Sequence, residues 1–174
     1  MIKVEKTKLD GVLLIRPDVF EDFRGRYVSP YNKADFKKAG IEIEFVCEDY
    51  STSGKNVLRG VHSDSDNWKL ISCRKGRFYL VVVNCDPKSS QFGQWDSFVL
   101  SEENCLQVLV PPKFGNGHLA LSDEVMFHYL QSNYYDPSRQ NSYRYDDPRF
   151  NIRWPVKEPI LSARDGASAY IKDS

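Results

Sequence analysis

The chain has 174 residues, 41% hydrophobic and 13% aromatic, enough to bury a substantial core within one domain spanning residues 1–174. Lysine plus arginine equals aspartate plus glutamate at 24 each, which excludes a global field drawing the protein to nucleic acid or to an anionic membrane. No segment approaches the ~20 apolar residues that span a bilayer, and Met1 to Lys6 hold no apolar run of signal-peptide length, so a soluble, cytoplasmic protein is expected.

Along the chain, short runs rich in Val, Ile, Tyr and Phe alternate with clusters of Gly, Pro, Asn, Asp and Ser. That spacing predicts strands over 12–15, 41–45, 57–58, 70–72, 78–83, 97–100, 106–110 and 125–130, the count of an all-β sandwich or barrel with two packed sheets. One helix is expected at 33–39, where Asn32 offers an N-cap oxygen and Gly40 a stop. It is too short to stand without tertiary packing. Arg74-Lys75-Gly76 reads as a hairpin tip, and Pro87 keeps residues 86–90 out of any central strand. From Asp136 onward, Pro137, Pro148, Pro155 and Pro159 predict irregular segments wrapping the sandwich. The four cysteines, Cys47, Cys73, Cys85 and Cys105, form no close-spaced pair and read as buried, reduced thiols.

Only three histidines are present, at 62, 118 and 128, too scattered for a His-any-His metal constellation, so no metal is expected. No serine or cysteine sits in a nucleophile-elbow context. Proton transfer fits better. Histidine is the side-chain type whose unperturbed pKa lies nearest neutrality, and a carboxylate beside His62 could fix its tautomer, although a lone strand histidine is more often structural. Arg59 lies three positions earlier and faces the other side of a regular strand unless a bulge at Gly60 re-aims it. Lys69, on the next strand, is a candidate cationic donor to an oxyanion, with an exposed strand lysine as the plain alternative. Alternation turns Phe127 and Tyr129 to one face and His128 to the other. An inward Tyr129 is a candidate acid or simply a core tyrosine.

Several motifs occur in one order: Asp22-Phe23-Arg24-Gly25, Leu58-Arg59-Gly60-Val61-His62, Lys69-Leu70, Phe92-Gly93-Gln94-Trp95, Pro111-Pro112-Lys113-Phe114, Tyr145-Asp146-Asp147-Pro148, Ile152-Arg153-Trp154-Pro155 and Leu161-Ser162-Ala163-Arg164-Asp165. As a set they resemble the nucleotide-sugar 3,5-epimerase family over almost the whole chain. The resemblance implies a cupin-like jelly-roll β-sandwich with one or two short peripheral helices and no cofactor. It further implies a homodimer exchanging strands, and a substrate that is a nucleotide-linked 4-keto-6-deoxy sugar, epimerised at C3, C5 or both. By motif position, His62 resembles the base, Asp165 its carboxylate partner, Lys69 the group steadying the enolate, and Tyr129 the proton donor. Arg24 and Arg59 match residues that hold the sugar diphosphate, and Arg164 falls at a cationic position near the same ligand.

Departures from the dTDP-sugar pattern concentrate at ligand-reading positions. Ser29 stands for a glutamate, Cys47-Glu48-Asp49 for Gln-Asp-Asn, and Ser63-Asp64 for an aromatic-glutamine pair. The family's Phe-Ala-His-Gly-Phe becomes Phe114-Gly115-Asn116-Gly117-His118, and an acidic contact becomes Gln140. The combination of His62-Ser63-Asp64, Trp68-Lys69-Leu70 and Phe114-Gly115-Asn116-Gly117-His118 resembles a branch acting on GDP-linked 4-keto-6-deoxy heptoses in capsule or surface-polysaccharide synthesis. The alternatives are a sugar-nucleotide 3,4-ketoisomerase and a non-catalytic sugar-binding sandwich.

Overall fold

A computed structural model of the chain describes residues 2–171. Its strands are β1 (Lys3–Lys6), β2 (Leu13–Arg16), β3 (Val19–Asp22), β4 (Gly25–Val28), β5 (Cys47–Ser53), β6 (Leu58–Asp64) and β7 (Lys69–Lys75). They continue with β8 (Arg77–Asn84), β9 (Trp95–Ser101), β10 (Gln107–Val110), β11 (Phe114–Ala120), β12 (Val125–Gln131) and β13 (Gln140–Ser142). Two short helices, α1 (Lys33–Lys38) and α2 (Ala163–Gly166), complete the regular structure with a 3-10 turn at Pro137–Arg139.

Among the described residues the strands form a six-stranded sheet ordered β1-β2-β10-β7-β12-β5, a five-stranded sheet ordered β13-β6-β11-β8-β9, and a β3-β4 hairpin that pairs only with itself. All strand pairs within the sheets are antiparallel. The cupin-like jelly-roll sandwich expected from the resemblance is thus the fold.

Three apolar layers follow from the period-two alternation of the strands. Between the sheets lie Ile71, Cys73, Phe78, Leu80, Val82, Val108, Val110 and Phe127. On the outer face of the larger sheet, Ile15, Leu70 and Leu109 meet Phe36 of α1 and Ile41. On the outer face of the smaller sheet, Val61, Val83 and Cys85 are covered by the tail through Phe150, Tyr143 and Trp154. The proline-rich tail is therefore the outer wall of one core layer.

Helix α1 forms where expected, Asn32 Oδ1 accepting from the Ala34 and Asp35 amides at 3.0 and 3.3 Å. Three expectations need correction. The segment 41–45 forms no strand, because it folds back on α1, the Ile41 amide donating to the Phe36 carbonyl at 2.9 Å, and Ile41 serves as an apolar plug. Arg74-Lys75-Gly76 is not a hairpin tip: β7 and β8 belong to different sheets, so the chain crosses the sandwich at Gly76. Cys73 and Cys85 are buried thiols, whereas Cys47 and Cys105 are partly exposed, and all four are free.

Candidate active site

The two sheets splay apart between β12 and β5 on one side and β6 and β11 on the other, leaving a cavity of about 480 Å³. Into it project Arg59 and His62 from β6, Lys69 from β7, Asn116 and His118 from β11, and Phe127, Tyr129 and Gln131 from β12. Asp49 comes from β5, and the tail contributes Gln140, Ser162, Arg164 and Asp165.

A bulge brings Arg59 and His62 to the same side. Asn116 pairs with His62 and His118 with Arg59, so two steps along β11 match three along β6. The extra residue lies in Gly60-Val61. Gly60 has φ +120°, and a Cβ there would stand 2.5 Å from the Gly117 Cα and 2.7 Å from the Asn116 carbonyl oxygen. Only glycine fits this close approach of two backbones.

His62 Nε2 lies 2.7 Å from Asp165 Oδ1, with side-chain exposures of 27% and 4% respectively. Asp165 sits on α2, whose N-cap Ser162 accepts from the Asp165 amide at 3.1 Å. Burial alone would raise the Asp165 pKa, but the hydrogen bonds from His62, Ser162 and the Gly60 backbone outweigh it and hold the carboxyl below its ordinary value. An ionised carboxylate only accepts, so His62 Nε2 carries a proton, which leaves Nδ1 as the ring nitrogen facing proton exchange.

Across the cavity, burial raises the Tyr129 pKa, with Asp49 and Cys47 adding to the effect, so the phenol stays protonated well beyond neutrality. Burial lowers the Lys69 pKa against the opposing pull of Asp64. Its ammonium is 3.4 Å from Asn116 Oδ1. Arg59 is anchored by Ser53 Oγ at 3.0 Å and the Thr52 carbonyl at 3.2 Å. Arg164 donates to Ser142 Oγ at 3.0 Å, and Asp49 accepts from Gln131 Nε2 at 2.7 Å.

Of the ten expected site residues, His62, Lys69, Tyr129, Asp165, Asp49, Arg59, Asn116 and Arg164 line this one cavity. Arg24 and Ser29 do not. Arg24 sits on the β3-β4 hairpin, paired with Asp22 at 2.6 Å, and Ser29 lies in the link to α1. His128 faces away from the cavity, bonded to Ser72 Oγ at 2.9 Å and Glu48 at 2.6 Å. Sequence reasoning passed over His118, although a residue two places from Asn116 on a strand shares its face. It also missed the capping of α2, signalled by Ser162 three residues before Asp165.

The sequence profile of the family described as dTDP-4-dehydrorhamnose 3,5-epimerase matches residues 6–173. A dTDP-4-dehydrorhamnose 3,5-epimerase of Salmonella typhimurium is 38% identical, covering 97% of this chain and 94% of its own. The crystal structure of a dTDP-6-deoxy-D-glucose-3,5-epimerase of Legionella pneumophila in complex with dTDP-4-keto-L-rhamnose superposes with a TM-score of 0.92 at 33% identity, covering 98% of this chain and 93% of that one. A 3'-monoepimerase of Streptomyces bikiniensis in complex with dTDP-quinovose gives 0.89 at 28% identity, with coverage of 94% and 85%.

Proposed function

The chain belongs to the dTDP-4-dehydrorhamnose 3,5-epimerase family, an isomerase family, and from that premise we propose that its cavity epimerises a nucleotide-linked 4-keto-6-deoxy sugar at C3, C5 or both. The observation that carries the reading is that the His62–Asp165 pair and the Tyr129 phenol line opposite walls of one cavity, with the Lys69 ammonium in the same space. The 4-keto group acidifies the protons on its neighbouring carbons. His62 Nδ1 takes one, the electron pair moves into the ring, and the charge collects on O4. Lys69, with little water to compete for it, holds that oxyanion. Tyr129 then returns a proton to the other face of the carbon. Asp165 keeps the imidazole in the working tautomer and stabilises it once charged.

Arg59 and Arg164 suit the diphosphate, since forked guanidinium donors match phosphate oxygens. Arg24 and Ser29 join the site only if a second copy supplies its hairpin. That hairpin exposes Phe20, Phe23 and Tyr27 at 62%, 97% and 67%, an apolar surface suited to burial in a homodimer.

The relatives are named for dTDP-linked sugars, which makes a dTDP-linked 4-keto-6-deoxy sugar the first substrate to offer. They lend no support to a GDP-linked heptose, an expectation that rests on the combination of His62-Ser63-Asp64, Trp68-Lys69-Leu70 and Phe114-Gly115-Asn116-Gly117-His118. Both nucleotides are tested together by incubation in heavy water with NMR of the product. Deuterium at C3 or C5 is the expected outcome with the dTDP sugar. Binding of either nucleotide sugar without any exchange would instead make the protein a non-catalytic sugar-binding sandwich.

A further inference from the structure

His118 has no part in the proton transfers above, yet it is enclosed beside them. The residue is only 3% exposed, its ring stacks on Phe127 at 4.0 Å with 6° between planes, and Nε2 has no hydrogen-bond partner among the described residues. An unsatisfied polar atom at the floor of a cavity is costly in the empty protein and is relieved when a ligand pairs with it. Burial, with the neighbouring Arg59 and His62, pushes the His118 pKa down to about 3, so the ring is neutral. In a neutral imidazole Nε2 is either a donor or an acceptor, and a hydroxyl, which can accept or donate, answers it in both tautomers where a phosphate or a cation does so in only one.

Position narrows the choice of hydroxyl. In the ladder between β6 and β11, His118 is level with Arg59 and Asn116 with His62. If Arg59 holds the diphosphate on C1 and His62 works at C3, the group between them is the hydroxyl on C2. We propose that His118 is a specificity-determining residue whose Nε2 makes one hydrogen bond with the C2 hydroxyl of the sugar. This rests on the epimerase reading of the cavity.

The test compares the full-length protein with His118→Phe, which keeps the ring stack and removes both nitrogens, and with His118→Gln, which keeps a donor and an acceptor. Calorimetry with dTDP, with the dTDP-linked 4-keto-6-deoxy sugar and with its 2-deoxy analogue is paired with kcat/KM on both sugars. Loss of one buried hydrogen bond is expected to cut the affinity and kcat/KM of His118→Phe for the 2-hydroxy sugar about tenfold to a hundredfold, with dTDP binding unchanged. The wild type is expected to reject the 2-deoxy analogue by a similar factor, His118→Phe to treat the two sugars alike, and His118→Gln to recover part of the preference. Removal of the orphaned nitrogen is expected to raise Tm by about 2–4 °C, the mark of a group kept for ligand rather than for packing. Equal handling of the two sugars by the wild type, or unchanged discrimination in His118→Phe, would overturn the proposal. Should His118→Phe fail to fold, the wild type's preference between the two sugars decides alone. Sugar binding with that preference but without turnover would sink the epimerase reading and leave the role of His118 standing.

Discussion

Burial favours the uncharged form of both Lys69 and Tyr129, but the consequences for a reaction differ. Tyr129 keeps the proton it is to donate, whereas Lys69 loses its charge at a lower pH than an ordinary lysine. The alkaline limb of kcat/KM is therefore expected below the usual lysine value of 10.5, and Lys69→Arg is expected to move it upward at a reduced rate, as read from the pH–rate profile. His118 shapes stability instead. Its folded pKa of about 3 lies below the ordinary 6.5, so between these values the unfolded chain binds the extra proton. Stability is full above about pH 6.5 and falls as the pH drops toward 3, with a slope of at most about 1.4 kcal/mol per pH unit from this group. His118→Phe is expected to flatten that slope in urea titrations at successive pH values. Asp165, whose folded pKa is depressed, acts in the same sense lower down: its contribution is present above 3.8 and lost as the pH falls through the folded value.

Among the elements, the bulge on β6 decides whether there is a site at all, since without the extra residue Arg59 and His62 would point to opposite faces. Gly60→Ala forces a Cβ against backbone at 2.5 and 2.7 Å, and neither neighbour can rotate away. A loss of at least about 2 kcal/mol is expected by denaturant unfolding, together with loss of activity beyond that explained by unfolding. The bulge was legible in the sequence as Gly60 between two functional side chains, and the apolar strands β2, β7, β8, β9, β10 and β12 were legible from their composition. β5 and β11 were not. β5 is an edge strand with polar residues on the cavity side, and β11 carries Gly115 and Gly117, which propensity counts against a strand. Packing explains both glycines: a Cβ on Gly115 would meet Val61 Cγ1 at 2.7 Å and Cys85 Sγ at 2.9 Å, and one on Gly117 would meet Trp154 at 3.2 Å. The crossing at Gly76 was hidden because a tight turn looks alike whether it joins paired strands or opposite sheets. Asp165 lies 103 residues from His62, and no local spacing links the two; only the family resemblance did.

At the scale of the whole molecule, eight expected site residues converge in one chain while the β3-β4 hairpin carrying Arg24 stands apart. If a partner's hairpin completes each site, a mixture of Arg24→Glu and His62→Asn chains, refolded together, regains activity. Each mixed dimer holds one intact site, so about a quarter of wild-type activity is expected from equal amounts. Arg24 acting within its own chain would give no recovery. The central claim, that His62 removes a proton which Tyr129 replaces from the opposite wall, is tested most directly by following deuterium uptake and inversion together by NMR in wild type, His62→Asn and Tyr129→Phe. The expected result is neither process in His62→Asn, and in Tyr129→Phe uptake with inversion slowed by about a hundredfold or more. Undiminished uptake in His62→Asn, or full-speed inversion in Tyr129→Phe, would contradict it.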